Sequence, residues 1–218
     1  MYLCQFTVIY LILSIVNQKR PIFVNAVPLV LINLAITEIF ISYAIDYNDS
    51  LRTNSNTNLL IEIIINIINI FNIFILQDVY TYFIHLLFHR NKFLYKYVHS
   101  THHVLYDAFY TFHSNPVDHI LMNIFSLAVP AYLAPVNKYV LETIICYQIY
   151  SAINGHTEDS ETQRHQEHHI NPKKKLGSLY LVEHIIDRVE KMGLQVAGAK
   201  IKPDKIASVA SVASVASK

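Results

Sequence analysis

Residues 59–89 run for 31 positions without a glycine or a proline. At 1.5 Å per residue an unbroken helix of that length is about 46 Å long, whereas the hydrocarbon core of a bilayer is about 30 Å thick. One helix can therefore cross a membrane and still project about ten residues beyond it, and that projecting end carries His85 and His89. The composition agrees: 53% of the 218 residues are hydrophobic and 15% charged, against about 25% charged in an ordinary soluble domain, and the mean hydropathy is +0.30. A net charge of +1 provides no field to draw in a polyanion, so nucleic acid is not an expected partner. Cys4 and Cys146 lie in apolar stretches and make no disulfide framework, and the glycines at 155, 177, 193 and 198 form neither a GxGxxG nor a Walker loop. Twelve histidines in so apolar a chain then demand an explanation, because an imidazole near a membrane is costly without a partner or a metal.

The remaining apolar stretches organise the chain. Residues 2–16 read as a first span rather than a signal peptide, since no basic segment precedes them and no small-residue cleavage site follows. Residues 22–45 form a second span interrupted only by Glu38, and residues 46–58 read as a polar loop whose Asn48-Asp49-Ser50 triplet would suit a lumenal glycosylation site. Within 59–89, Glu62, Asn66, Asn69 and Asn72 recur on one side of the helix, as expected of an inward stripe that hydrogen-bonds to neighbouring helices. Residues 120–153, broken near Pro130 and Pro135, read as a hairpin of two short halves. Lys19, Arg20, Arg90, Lys92, Lys96 and Lys173 to Lys175 then share one side of the membrane, which the positive-inside rule assigns to the cytosol together with all twelve histidines. The expected fold is all-α, an integral membrane helical bundle of about four spans, or two spans plus hairpins, with a cytosolic histidine-rich metal-binding cap.

The histidines fall into boxes. His85 and His89, four apart, stack on one helix face about 6 Å from each other, a separation that one metal can bridge. His99, His102 and His103 repeat at i, i+3 and i+4, which on a helix directs three rings the same way, and His165, His168 and His169 repeat that pattern. Ser160 and Gln163 are spaced as a capping box before the last triplet, and Asn171-Pro172 ends its helix. Neutral imidazole suits iron, zinc, copper or nickel, and eight imidazoles exceed the capacity of one metal, so two metals close together follow. His156 lies nine residues before His165 and can reach the same cluster. His113 and His119 flank Asn115-Pro116, an N-cap followed by a first helical proline; either histidine could be a ligand or could support one. His184 falls in an amphipathic segment, residues 179–192, expected on the membrane surface. Asp107, Asp118, Glu158 and Glu167 are placed to orient ligating rings. Two metals with open positions beside hydrocarbon suggest oxidation of a lipid.

At this point the sequence resembles the fatty acid hydroxylase superfamily, membrane enzymes that include sterol desaturases and C4-methylsterol oxidases. The resemblance rests on 78–89 ending in HxxxH, on Leu94-Tyr95-Lys96-Tyr97-Val98 leading into HxxHH at 99–103, and on HxxHH at 165–169. Asn115-Pro116-Val117-Asp118 is similar to the superfamily's His-Pro-Val-Asp, Gly177 to the glycine of its Asn-Tyr-Gly, and Asp187-Arg188 to its Asp-Arg. It implies a non-haem centre of two iron ions that uses dioxygen to hydroxylate or desaturate a sterol, fatty acyl chain or sphingolipid. Electrons must come from a separate protein, such as cytochrome b5 with its NAD(P)H reductase, because the chain has no His-Pro-Gly-Gly haem motif and no flavin loop. The expected location is the endoplasmic reticulum membrane. Asn115 stands where the superfamily has a ligand histidine, which keeps a catalytically inactive membrane scaffold open as an alternative; a histidine-rich metal transporter is a second. The expected divisions are N-terminal spans (1–77), a histidine-box domain (78–194) and a disordered tail (195–218).

Overall fold

In hydrocarbon a backbone must satisfy its own polar groups, and apolar sequence accordingly becomes helix. The computed structural model describes residues 5–52, 58–105, 107–157, 164–172 and 176–191. Among these, nine α-helical segments occur and no strand: α1 (Gln5–Asn17), α2 (Val27–Arg52), α3 (Leu59–Arg90), α4 (Lys92–Leu94), α5 (Pro116–Asp118), α6 (Phe125–Leu133), α7 (Lys138–Gly155), α8 (Arg164–Ile170) and α9 (Leu181–Lys191). Wider π turns at Tyr95–His99 and His119–Ile124, and tight 3₁₀ turns at Val24–Ala26, Ser100–His103 and Ala108–Phe112, join or extend them. The residues to Glu183 form one compact unit.

Among the described residues three stretches are long and apolar enough to cross a membrane: Val24–Leu51, Leu59–Arg90 and Pro116–Leu133. Much of the middle one is bare, with Leu59 72%, Ile68 54% and Phe71 66% exposed, which in a bilayer is a surface for acyl chains. Of the segment expected as a first span, residues 2–4 lie outside the described residues and the rest belongs to the 13-residue helix α1, roughly 20 Å of described length. The expected hairpin is present as the arm from α5 to α6, returning through residues 134–137 into α7.

Asparagine sets the helix starts. Asn58, Asn91, Asn115 and Asn137 each accept a hydrogen bond from a backbone N–H two residues on, at 2.9–3.0 Å, the contact that satisfies an otherwise unpaired amide of the first turn. Of the stripe on α3, Asn66 Oδ1 accepts from Asn137 N and Asn69 Nδ2 donates to the Pro135 carbonyl, fastening α3 to the turn between α6 and α7. Asn72 is exposed instead.

The polar loop expected at 46–58 is corrected over its first half, where α2 continues to Arg52. Asn48 is 2% exposed, and its Nδ2 donates to the Ala131 carbonyl at 3.0 Å. A glycan needs that nitrogen at the surface, so the triplet at 48–50 is a packing contact and not an acceptor site. The apolar core joins α1, α2, α6 and α7 to the loop at 108–112: Tyr10 stacks on Phe112 with ring centroids 4.5 Å apart and donates to the Phe109 carbonyl at 2.8 Å. Asn33 Nδ2 donates to the carbonyls of Phe112 and Ser114. The capping pair at 160 and 163, residues 173–175 and the tail from 195 lie outside the described residues.

Candidate metal centre

Nine histidines converge in two adjoining groups, one of His85, His89, His99, His103 and His168, the other of His102, His156, His165 and His169. Within each group one ring nitrogen per residue lies within 4.8 Å of all the others, a spacing that can hold a metal ion. The closest approaches are between Nε2 atoms: 3.1 Å for His85 and His99, 3.1 Å for His89 and His168, 3.0 Å for His103 and His99, and 3.1 Å for His102 and His165. The groups share a wall, with ring centroids 4.8 Å apart for His103 and His169.

The expectation that each triplet aims all its rings one way is corrected. His99 and His103 enter the first group and His102 the second, whereas His165 and His169 enter the second and His168 the first. Residues four apart differ by about 40° around a helix, but the one at i+3 is about 100° from its neighbour at i+4. Each triplet thus straddles the two groups. The second box also departs from a regular helix, since His99 closes a π turn and Ser100–His103 is a 3₁₀ turn; π turns often occur at functional sites.

Outer contacts fix the rings. His85 Nδ1 donates to the Leu176 carbonyl at 2.9 Å and His156 Nδ1 to the Ala152 carbonyl at 2.8 Å. A carbonyl can only accept, so both rings carry their proton on Nδ1 and present Nε2 as a lone pair. His156 Nε2 is buried with no hydrogen-bond partner among the described residues. His99 Nδ1 meets Asp118 Oδ1 at 2.9 Å, with both side chains buried. Replacing Asp118 with asparagine should weaken metal binding about 10- to 100-fold, as losses of such supports do; competition with a chelator measures it.

Several expected participants are elsewhere. His119 belongs to neither group: its Nε2 is 2.6 Å from Thr37 Oγ1 and its Nδ1 accepts from Asn123. His113 also lies outside both, half-buried beside Tyr110. Asp107 is within electrostatic reach of His156, as expected, but its carboxylate accepts from the backbone amides of Lys19, Arg20 and Ala108 and holds the loop to the end of α1. Glu167 is exposed, and Glu158 lies outside the described residues. His184 is exposed on α9.

Burial, followed by the closeness of other imidazoles, holds His99, His102 and His165 well below the usual histidine range. Burial likewise lowers His156 to about 4 and His103 to about 3. All five are neutral at pH 7, the form that binds metal. In the metal-free protein the unfolded chain takes up protons near pH 6.5 while the folded state refuses them, so stability is intact above pH 7 and falls as pH drops towards 4. For His156 alone the loss at pH 5 is on the order of 2 kcal/mol; denaturant titrations of metal-free protein at pH 7.5 and 5 should show it.

A cavity of about 540 Å³ leads from these histidines between α2, α3, α6 and α7. Beside it Asp78, wholly buried on α3, accepts from the amides of Leu179, Tyr180 and Val182 at 2.6, 2.9 and 3.1 Å. This bracket, which the sequence reading gave no role, holds Tyr180 at a left-handed φ of 62° and keeps Leu176 against His85. A Cβ on Gly177 would stand 2.6 Å from Asp78 Oδ1, so any larger residue there must displace that carboxylate.

The family model for fatty acid hydroxylase matches residues 70–191, more than half of the chain. The chain belongs to the fatty acid hydroxylase family. No curated protein and no solved structure matches it. Asn115, where the resemblance implied a histidine, caps α5 and donates to the Tyr97 carbonyl, while nine histidines form the two groups.

Proposed function

We propose that this fatty acid hydroxylase is a membrane-bound di-iron oxidoreductase that uses dioxygen to hydroxylate or desaturate a lipid. The observation that carries the reading is the pair of adjoining histidine groups beside a cavity within the bundle that several of them line. Nine imidazoles without a thiolate suit a catalytic metal better than a structural zinc. A group of five donors exceeds the four ligands of a structural zinc, which supports iron.

His85, His89, His99, His103 and His168 would hold one ion, and His102, His156, His165 and His169 the other. When bound, the irons supply activation of dioxygen and removal of hydrogen from an unactivated C–H bond. The chain's own work is to orient the rings through Asp118 and the carbonyls of Leu176 and Ala152, and to admit a lipid chain to the cavity while excluding bulk water. Electrons come from a separate protein such as cytochrome b5 and its reductase. Lys19, Arg20, Arg90, Lys92 and Lys96 support a cytosolic site on the endoplasmic reticulum membrane. Against the inactive-scaffold alternative stand the nine histidines that reach the two groups, with Asn115 serving as the cap of α5. A transporter would place its histidines along a path through the bilayer, not in two clusters.

After anaerobic reconstitution the full chain should hold about two irons, and a host expressing it should accumulate an oxidised lipid that a His102→Ala host lacks. Fewer than about one iron per chain, or identical lipid profiles, would overturn the reading.

A further inference from the structure

Among the polar side chains that line the cavity outside the histidine groups, one pair bridges two helices. Gln77 on α3 is 5% exposed, and Gln148 on α7 donates to its Oε1 at 2.6 Å; both line the cavity, as does Thr81. Gln77 lies eight residues before His85, and Gln148 eight before His156, so each stands about 12 Å of helix rise from a histidine of a different group. Thr81, one turn nearer His85, has a buried Oγ1 with no hydrogen-bond partner among the described residues. Beyond the pair the lining turns apolar, with Leu141 and Ile145.

A glutamine pair whose task was only to tie α3 to α7 would be complete with its one hydrogen bond. Among the described residues that bond is the one either side chain makes, so the Gln77 amide N–H groups and the Gln148 carbonyl oxygen, both on cavity-lining side chains, are left to an occupant of the cavity, and hydrocarbon there would leave them unsatisfied at a cost. A hydroxyl answers both at once, accepting from Gln77 and donating to Gln148, while an ester or ketone oxygen answers only the first. We infer that Gln77 and Gln148 are positioning residues that select a hydroxylated lipid, holding its hydroxyl about 12 Å from the histidine groups. Thr81 extends the same edge. This rests on the reading of the cavity as the substrate site; it assigns that substrate a hydrogen-bonding group which an unsubstituted acyl tail lacks.

The test uses the full chain in nanodiscs and two probe pairs that differ by one hydroxyl: cholesterol with its 3-deoxy analogue, and 12-hydroxyoctadecanoate with octadecanoate. Equilibrium binding should favour the hydroxylated member of at least one pair about tenfold or more, since sites built around a hydroxyl discriminate strongly against its absence. In Gln77→Met/Gln148→Met the preference should collapse to about twofold or less, with iron content equal to wild type. A merely structural pair would alter stability and leave the preference alone. If the double variant aggregates, Gln148→Met alone decides, and should lose most of the preference. No preference in the wild type, whether through equal binding or through no binding of any probe, overturns the inference, as does a preference that survives substitution. Binding is scored apart from turnover: selective binding with no oxidised product sinks the oxidase reading alone, and oxidation indifferent to the hydroxyl sinks the positioning role alone.

Discussion

Replacing His168 with alanine should empty the first histidine group while leaving the second occupied. His168 is wholly buried, with Nε2 3.1 Å from His89 Nε2 and its ring centroid 4.3 Å from that of His85. In sequence its companions are His165 and His169, which sit in the other group. Losing an outer support costs about 10- to 100-fold in metal affinity, so losing a ligand should cost more than about 100-fold and take lipid oxidation down at least as far. Iron should fall from about two per chain to about one. His165→Ala should also remove about one, but from the second group, so the two single variants should differ spectroscopically and the double variant should lose both. If each triplet served its own metal, both variants would strike the same ion and look alike. His119→Gln, outside both groups, should keep full occupancy.

That crossing pattern marks the limit of what residue spacing conveys here. The spacings four apart were legible: His85 with His89, His99 with His103, and His165 with His169 each share a group. What spacing does not carry is the presence of a second group about 100° round the helix, which the residue at i+3 can reach. The 31-residue run was legible because nothing in it breaks a helix, and α3 spans Leu59–Arg90. Asn115-Pro116 was legible as a helix start because both residues act locally. The polar run after residue 45 misled, since Asn48 and Ser50 form hydrogen bonds to carbonyls inside and beside α2, the former across 83 residues to Ala131. Distant partners of that kind leave no periodicity. Nor does spacing single out Asp78, whose carboxylate accepts from amides 101, 102 and 104 residues further along the chain.

Asp78 is therefore where the second large effect is expected. Its carboxylate collects three backbone amides from residues 179–182, and alanine would leave them without their acceptor in a buried setting. Each buried donor so orphaned costs about 1–3 kcal/mol, and with water entering the gap the sum should settle at about 3–5 kcal/mol, a large part of the 5–15 kcal/mol typical of a folded chain. The damage should also reach the metal, because the same loop supplies the Leu176 carbonyl that fixes the His85 tautomer. Gly177→Ala presses on Asp78 Oδ1 from the other side and should reproduce the effect more weakly, since the carboxylate can turn but only by giving up Leu179 or Tyr180. Thermal inactivation in detergent and iron per chain should fall together in both variants. Asp78→Ala with an unchanged melting point and full iron would mean that the bracket does not hold the site.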